Sequence, residues 1–247
     1  MRRRAPFGLG ASAAALLTGA AATQPGAPGQ SPAPAAVQQP LAARVVPDAG
    51  QGRLIAEQGT AAGAAPCSAC HGMDGTGTGT DAIPRLDGQS AYYLFKQLGD
   101  YASGLRQNEV MTPIAQSLEE AERQHAAAWY GAQRFAGTPA PGTPAAPARD
   151  EAAMRLGAGI VSVGIAERGV QACANCHGPH AAGLDPAAPR LAGQWGAYAR
   201  AQFEAFRAGA RRNDVAAVMR GLSHRLGDAE IAAVSDYLEA LQPKQDR

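Results

Sequence analysis

Apolar residues recur along this chain with the spacing of amphipathic helices. Two stripes, each at positions i, i+4, i+7 and i+11, consist of Leu94, Leu98, Tyr101 and Leu105 and of Ala199, Phe203, Phe206 and Ala210. A third apolar face runs from Ile231 to Leu241, with Asp228 as its predicted N-cap. No segment alternates apolar and polar residues for long enough to predict a strand. The pattern therefore predicts an all-α protein.

Two tracts rich in proline and alanine divide the chain. Residues 23–50 and 133–149 are predicted to be extended, solvated linkers. The segments that they leave, residues 51–132 and 150–247, each have the size of a small domain. The second linker is long enough to leave the distance between the two domains open.

The first 22 residues have the layout of a secretory signal peptide. Three arginines are followed by an apolar stretch and then by Ala20, Ala21 and Ala22, which form a small-residue cleavage site. The apolar stretch is shorter than the roughly 20 residues that a membrane helix needs, which favours cleavage over retention as an anchor. The sequence thus predicts an exported protein.

The two predicted domains repeat each other. PRLDGQ at 84–89 matches PRLAGQ at 189–194, and GLRQNEV at 104–110 matches GARRNDV at 209–215, both at a shift of 105 positions. Three additional residues follow in the second copy, so that Met111 aligns with Met219. A repeat of this length predicts two tandem domains of the same fold.

Composition narrows the classes of function. The 247 residues have a formal net charge of +1 and contain no base-reading or phosphate-binding motif, so nucleic acid is not an expected partner. Aromatic residues make up only 5% of the chain, which leaves few large side chains for two small cores. A large apolar cofactor would supply the missing volume.

The four cysteines form two Cys-x-x-Cys pairs, each followed directly by histidine. The motifs are CSACH at 67–71 and CANCH at 173–177. Disulfides, a thioredoxin-like redox motif or a zinc site would explain the cysteines but not the repeated histidine. Cys-x-x-Cys-His is the attachment motif of c-type haem. The predicted attachment residues are Cys67, Cys70, Cys173 and Cys176, and the predicted axial ligands of the two irons are His71 and His177.

Methionine is the expected second ligand of each iron. Met111 and Met219 occupy matched positions after the same Arg-x-Asn-acid-Val sequence, whereas Met73 and Met154 have no matched counterpart and Met1 lies in the signal. Iron held by histidine and methionine has no open coordination position. This ligand set favours electron transfer over substrate chemistry at the iron.

Together these motifs resemble the two-haem class I cytochromes c of the cytochrome c4 type. The resemblance covers about residues 51–130 and 150–242, through the CxxCHG, PRLxGQ and Met-containing segments and the closing LGDAEIAAVSDYLEAL. It implies two helical domains in the periplasm, each around one covalent haem. It also implies that the carbonyls of Pro84 and Pro189 accept hydrogen bonds from the ligand imidazoles. Residues implied to face haem propionates are Arg106, Arg211, Tyr92 and Trp195, with a solvated surface position as the alternative for the arginines.

Three functions remain open at this point. The leading one is a periplasmic carrier that shuttles single electrons between a respiratory complex or dehydrogenase and a terminal oxidase or reductase. The others are a cytochrome subunit of a dehydrogenase complex and a dihaem enzyme, either a peroxidase or a thiosulfate dehydrogenase. The expected partners are redox proteins, with peripheral membrane association left open. Residues 51–132 carry five basic and nine acidic groups, against eleven of each in 150–247, which predicts different partners for the two domains.

Overall fold

The computed structural model describes residues 46–79, 82–137, 149–186 and 188–241. The predicted all-α fold is confirmed, apart from a two-residue antiparallel pair of strands in the second domain. The predicted signal peptide and most of the first predicted linker lie outside the described residues. Within them, no helix combines the length and the apolar character needed to cross a membrane.

The two domains contain the same order of helices. In domain one they are α1 (Ala49–Gln58), α2 (Ser68–His71), α3 (Ala91–Ser103), α4 (Met111–Gln116) and α5 (Glu120–Gly131). In domain two they are α6 (Glu151–Ser162), α7 (Cys173–His177), α8 (Gly196–Arg207), α9 (Val218–Arg225) and α10 (Asp228–Ala240), with β1 (Gly164–Ile165) and β2 (Val170–Gln171) between α6 and α7. Helix α1 begins inside the first predicted linker, because the Asp48 side chain accepts from the first-turn N–H groups of Gly50 and Gln51.

The first and last helices of each domain cross at very close range. A Cβ atom on Gly52 of α1 would lie 1.9 Å from the carbonyl oxygen of His125 in α5. A Cβ atom on Gly157, at the equivalent position of α6, would lie 2.2 Å from the carbonyl oxygen of Ala233 in α10. Only glycine fits at either crossing, so the repeat preserves the helix packing as well as the motifs.

The cores of the two domains differ in composition. Domain two has one continuous apolar cluster, formed by Ile160, Val161, Val170, Ala181, Phe203, Leu226, Ile231, Val234 and Leu238. Domain one has two smaller clusters, and α5 contributes mainly Ala126, Ala127 and Tyr130 to them. Helix α5 therefore packs through small side chains, which suits the close crossing with α1 but buries less apolar surface per residue.

Two details of the predicted helices were wrong. The apolar stripes end one turn early, because Leu105 and Ala210 lie beyond the ends of α3 and α8. Their carbonyl oxygens instead accept backbone hydrogen bonds between the domains, from the N–H of Arg212 to Leu105 over 3.1 Å and from that of Gln107 to Ala210 over 3.2 Å. Asp228 is the first residue of α10 and not its N-cap, a position held by Gly227.

The two PRLxGQ loops contact each other across the domain boundary. The side-chain amide of Gln89 accepts from the backbone N–H of Arg190 over 3.1 Å and donates to the carbonyl of the same residue over 2.7 Å. Gln194 forms the same pair of bonds with the backbone of Arg85, at 2.9 and 3.0 Å. Because these residues are related by the repeat, the domains pack with approximate two-fold symmetry. The long linker therefore does not hold the domains apart.

Candidate functional site

The imidazole of His71 is buried and held by the first PRLxGQ loop. His71 is the last residue of α2, and the residue is 7% exposed. Its Nδ1 atom lies 3.1 Å from the carbonyl oxygen of Pro84, which begins the loop. The short helix presents the side chain, and the loop sets the rotation of the ring.

Domain two repeats this arrangement. His177 ends α7 and is 9% exposed, and its Nδ1 atom lies 2.9 Å from the carbonyl oxygen of Pro189. The matched histidine and proline residues therefore have the same relative positions in the two domains, although the loops between them differ in length by one residue.

The hydrogen bonds determine which ring nitrogen is available. A carbonyl oxygen can only accept, so Nδ1 carries the hydrogen in both rings and Nε2 keeps a free lone pair. Burial lowers the pKa of His71 and of His177, against the opposite effect of the proline carbonyls, and Arg211 lowers the pKa of His177 further. A neutral imidazole with a fixed ring and a free Nε2 is the form in which histidine binds a metal.

The four cysteine thiols are free and lie one helical turn apart within each motif. Cys70 and Cys176 are exposed, whereas Cys67 and Cys173 are partly buried. Burial raises the pKa of Cys67 and raises that of Cys173 to about 11, so neither is an activated thiolate of the kind found in redox enzymes. Two thiols and an imidazole on one short helix are the donor set that covalent haem attachment requires.

The alternative explanations of the cysteines do not fit this geometry. The free thiols argue against disulfides. A thioredoxin-like motif needs a βαβ unit, and the motifs here lie among helices. In the part of the chain that the structure covers, no group of three or more His, Cys, Asp or Glu side chains is arranged to hold a metal ion.

The two candidate methionines begin equivalent helices. Met111 is the first residue of α4 and Met219 the second residue of α9, and both are partly buried. Met219 packs against the core of domain two. Two of the three additional residues of domain two, Ala216 and Ala217, lie in a short 3-10 turn (Val215–Ala217) before α9 and have left-handed backbone conformations. The role of Met111 and Met219 as iron ligands stays a prediction.

The two arginines of the repeated approach segments are buried between the domains. Arg106 is 4% and Arg211 8% exposed, so the solvated surface position is wrong for both. Each donates hydrogen bonds to amide and phenol oxygens of both domains: Arg106 to Gln97, Tyr198 and Gln202, and Arg211 to Gln97, Gln202, Tyr93 and Asn213. This network of glutamines and tyrosines repeats at the same shift of 105 positions, which is the signal in the sequence that could have revealed it.

The aromatic residues implied to lie near the cofactor have different positions. Tyr92 is 56% exposed on α3, and its neighbour Tyr93 is the residue that contacts Arg211. Trp195 is buried, and its indole N–H donates to the carbonyl of Thr76 in domain one over 2.8 Å. Trp195 therefore joins the two domains, and a propionate contact for these residues stays a prediction.

The three histidines outside the motifs are hydrogen-bonded or exposed. His125 accepts a hydrogen bond from the backbone N–H of Asp48 through its Nδ1 atom, over 3.0 Å. His180 and His224 are exposed. His71 and His177 are thus the buried histidines of the described residues.

Comparison with known proteins places this geometry in one family. The family model "Cytochrome c" matches residues 56–146 and 167–242, which together are more than half of the chain. The two matches correspond to the two halves of the repeat.

Similar proteins carry two kinds of name. A protein of Stutzerimonas stutzeri (strain A1501) called thiosulfate dehydrogenase electron acceptor is 39% identical over 80% of this chain and 89% of its own length. The crystal structure of reduced recombinant cytochrome c4 from Pseudomonas stutzeri is 31% identical, has a TM-score of 0.66 and matches over 80% of this chain and 100% of that chain. A thiosulfate dehydrogenase from Marichromatium purpuratum is 34% identical with a TM-score of 0.70, over 78% of this chain but only 40% of that chain.

Proposed function

The chain belongs to the cytochrome c family as a dihaem member of the cytochrome c4 type, and on this premise we propose that it receives electrons from a dehydrogenase and passes them to a terminal acceptor. It carries two covalently bound c-type haems. The observation that carries the proposal is the duplication of one site. Both domains present two thiols and a buried, neutral imidazole whose ring is held by a proline carbonyl.

The residues that hold the haems are proposed from this arrangement. Covalent attachment is assigned to the four motif cysteines, Cys67, Cys70, Cys173 and Cys176. His71 and His177 are the proposed histidine ligands of the two irons, and Met111 and Met219 are the proposed second ligands. The carbonyls of Pro84 and Pro189 orient the imidazoles and raise their basicity. When bound, a haem of this kind supplies one-electron redox chemistry at an iron with no open position.

Two features support a carrier over a dihaem enzyme. Each domain offers the same kind of side chains to its cofactor, whereas an enzyme needs one site with room for substrate. The domains are also joined by direct hydrogen bonds between their PRLxGQ loops. A packed pair of equivalent sites suits the exchange of single electrons between them. The dihaem enzyme remains the second candidate, supported by the similarity to a thiosulfate dehydrogenase.

A thiosulfate dehydrogenase is the proposed electron donor. The support is the similarity to a protein named as the electron acceptor of that enzyme, over most of both chains. We further propose that the protein works in the periplasm, after removal of residues 1–22. Recovery of the protein in a periplasmic extract tests the placement, and sequencing its N-terminus tests the removal, which a mature chain that still begins at Met1 would contradict.

Reduction by the proposed donor tests the function directly. With thiosulfate and catalytic amounts of a purified thiosulfate dehydrogenase, both haems should become reduced within a rapid-mixing experiment. This chain with thiosulfate alone should stay oxidised, and its ferric spectrum should be low-spin. A chain that turns over thiosulfate by itself, or has a high-spin haem, would support the dihaem enzyme.

The acidic charge of domain one predicts how the reaction depends on salt. If a basic donor surface docks there, raising the ionic strength should slow reduction by about tenfold, because screening removes electrostatic steering. Glu109→Lys, at an exposed site in domain one, should slow the reaction at low salt. Glu151→Lys, at an exposed site in domain two, is the matched control and should have little effect. Equal effects of the two variants would rule out docking at domain one.

Replacing Met219 with alanine tests the sulfur ligand of domain two. The variant should keep both haems but lose the charge-transfer absorption of one sulfur-bound ferric haem, and the reduction potential of that haem should fall because thioether ligation raises it. Met154→Ala is the control, since Met154 lies on α6 and is not a proposed ligand. An unchanged absorption in the Met219 variant would mean that another group binds the iron.

A further inference from the structure

The residues that follow α5 lie against the first PRLxGQ loop, although Arg134 and Ala136 are exposed. Residues 133–137, called here the wedge segment, are held to this loop by three hydrogen bonds. The N–H of Gly88 donates to the first carbonyl of the segment over 2.9 Å, and Arg85 Nη1 donates to its last carbonyl over 3.0 Å. The N–H of Ala136 donates to Asp87 Oδ2 over 2.9 Å. The start of the second predicted linker is therefore part of the folded structure.

The ring of Phe135, at the centre of the wedge segment, lies between the two domains. It stacks on the guanidinium of Arg85 from domain one, 4.3 Å from Cζ to the ring centre, and on that of Arg190 from domain two, at 5.3 Å. A Cβ atom on Gly193 would lie 2.2 Å from the tip of the ring, and one on Gly88 would lie 3.0 Å from the Phe135 Cβ. The glycines of both PRLxGQ loops thus leave the space that the ring occupies.

The charges around the ring are not symmetric. Arg85 forms a bidentate pair with Asp87, at 3.0 and 2.7 Å, and both side chains are almost fully buried. Ala192 replaces the aspartate in domain two, so Arg190 has no carboxylate at the equivalent position. The Nε atom of Arg190 is buried without an acceptor among the described residues. The face of Phe135 is therefore a favourable contact for this guanidinium, in addition to the attraction of Asp87.

We propose that Phe135 is a positioning residue that locks domain two onto domain one and so sets the rate of electron exchange between the haems. This inference rests on the proposed function, because exchange matters only if both domains carry electrons. The ring contacts equivalent residues of both domains at once. The loss of the ring frees Arg190 from its contact and leaves a gap between the two glycines.

Hydrogen exchange in the haem-loaded, full-length protein measures this lock. In Phe135→Ala, the loss of two cation–π contacts should make opening of the domains about tenfold more frequent. The amides that donate across the boundary, those of Arg85, Gln107, Arg190 and Arg212, should exchange faster by that factor. Helical amides inside α3 and α8 should keep their exchange rates within about twofold. They exchange through local opening of the helix, which does not require the two domains to separate.

Matched variants separate positioning from general stability. Phe135→Leu keeps much of the apolar volume but lacks the π face, so it should exchange nearly as fast as Phe135→Ala, and it is the substitute if the alanine variant does not fold. Gly193→Ala should expel the ring and therefore accelerate exchange by a larger factor in the parent than in the Phe135→Ala background, and the ratio of the two factors measures the contact with the ring. The strain of alanine at that backbone conformation is common to both backgrounds and cancels.

Electron exchange between the haems, followed after rapid partial reduction, should slow in the same variants. Unchanged boundary amides in Phe135→Ala, or acceleration confined to the amides of domain one, would overturn the lock. A parent protein that takes no electrons from a dehydrogenase would overturn the proposed function instead, and would leave the hydrogen-exchange result intact.

Discussion

Replacement of both Cys173 and Cys176 by alanine is expected to halve the haem content, from two haems per chain to one. These are the two thiols of α7, and covalent attachment needs both positions one turn apart. Without the thioether bonds, domain two keeps the His177 imidazole but loses the cofactor during purification. A pyridine haemochrome assay against protein concentration, together with the intact mass, gives the number of haems directly.

Two matched variants serve as controls for this haem count. The double replacement of Cys67 and Cys70 should remove the other haem and give the same count. Asn175→Ala lies between the two cysteines of α7 and should retain both haems, because it changes the helix without touching a thiol. A cysteine variant that still carries two haems, or a parent protein that is colourless after expression with the attachment machinery, would contradict the assignment.

Replacement of Asp87 by alanine is expected to lower the free energy of unfolding by about 3–5 kcal/mol, the cost of leaving a buried charge without its partner. Arg85 and Asp87 have side chains that are 2% and 0% exposed, so water cannot replace the lost carboxylate. The substitution also removes the acceptor for the N–H of Ala136 in the wedge segment. Denaturant unfolding of the haem-loaded protein measures the change.

An exposed ion pair provides the comparison. Glu151 pairs with Arg155 on α6 with side chains that are 86% and 67% exposed, so Glu151→Ala should cost less than about 0.5 kcal/mol. The double variant with Arg85→Leu and Asp87→Ala should recover most of the lost stability, because no unpaired charge remains. A loss of under about 1 kcal/mol in Asp87→Ala would show that Arg85 finds another partner or reaches water.

The periodicity of apolar residues predicted which helix positions are buried, but not where the helices end. Leu94 and Phe203 are buried as their stripes predict, since the spacing of apolar residues reflects one helix packing on a core. Leu105 and Ala210 continue the spacing but not the helices, because their carbonyls bond across the domain boundary. Periodicity contains no information about a partner segment about a hundred residues away.

The sequence by itself determined the helical class, the duplication and the two haem motifs, because each depends on residues close together in the chain. Only the tertiary structure decided how the domains meet. The burial of Arg106 and Arg211, the reciprocal bonds of the PRLxGQ loops and the insertion of Phe135 all join side chains that are distant in sequence. Such contacts depend on shape and charge in three dimensions, and a linker rich in proline and alanine gives no local sign that one of its residues packs between two arginines.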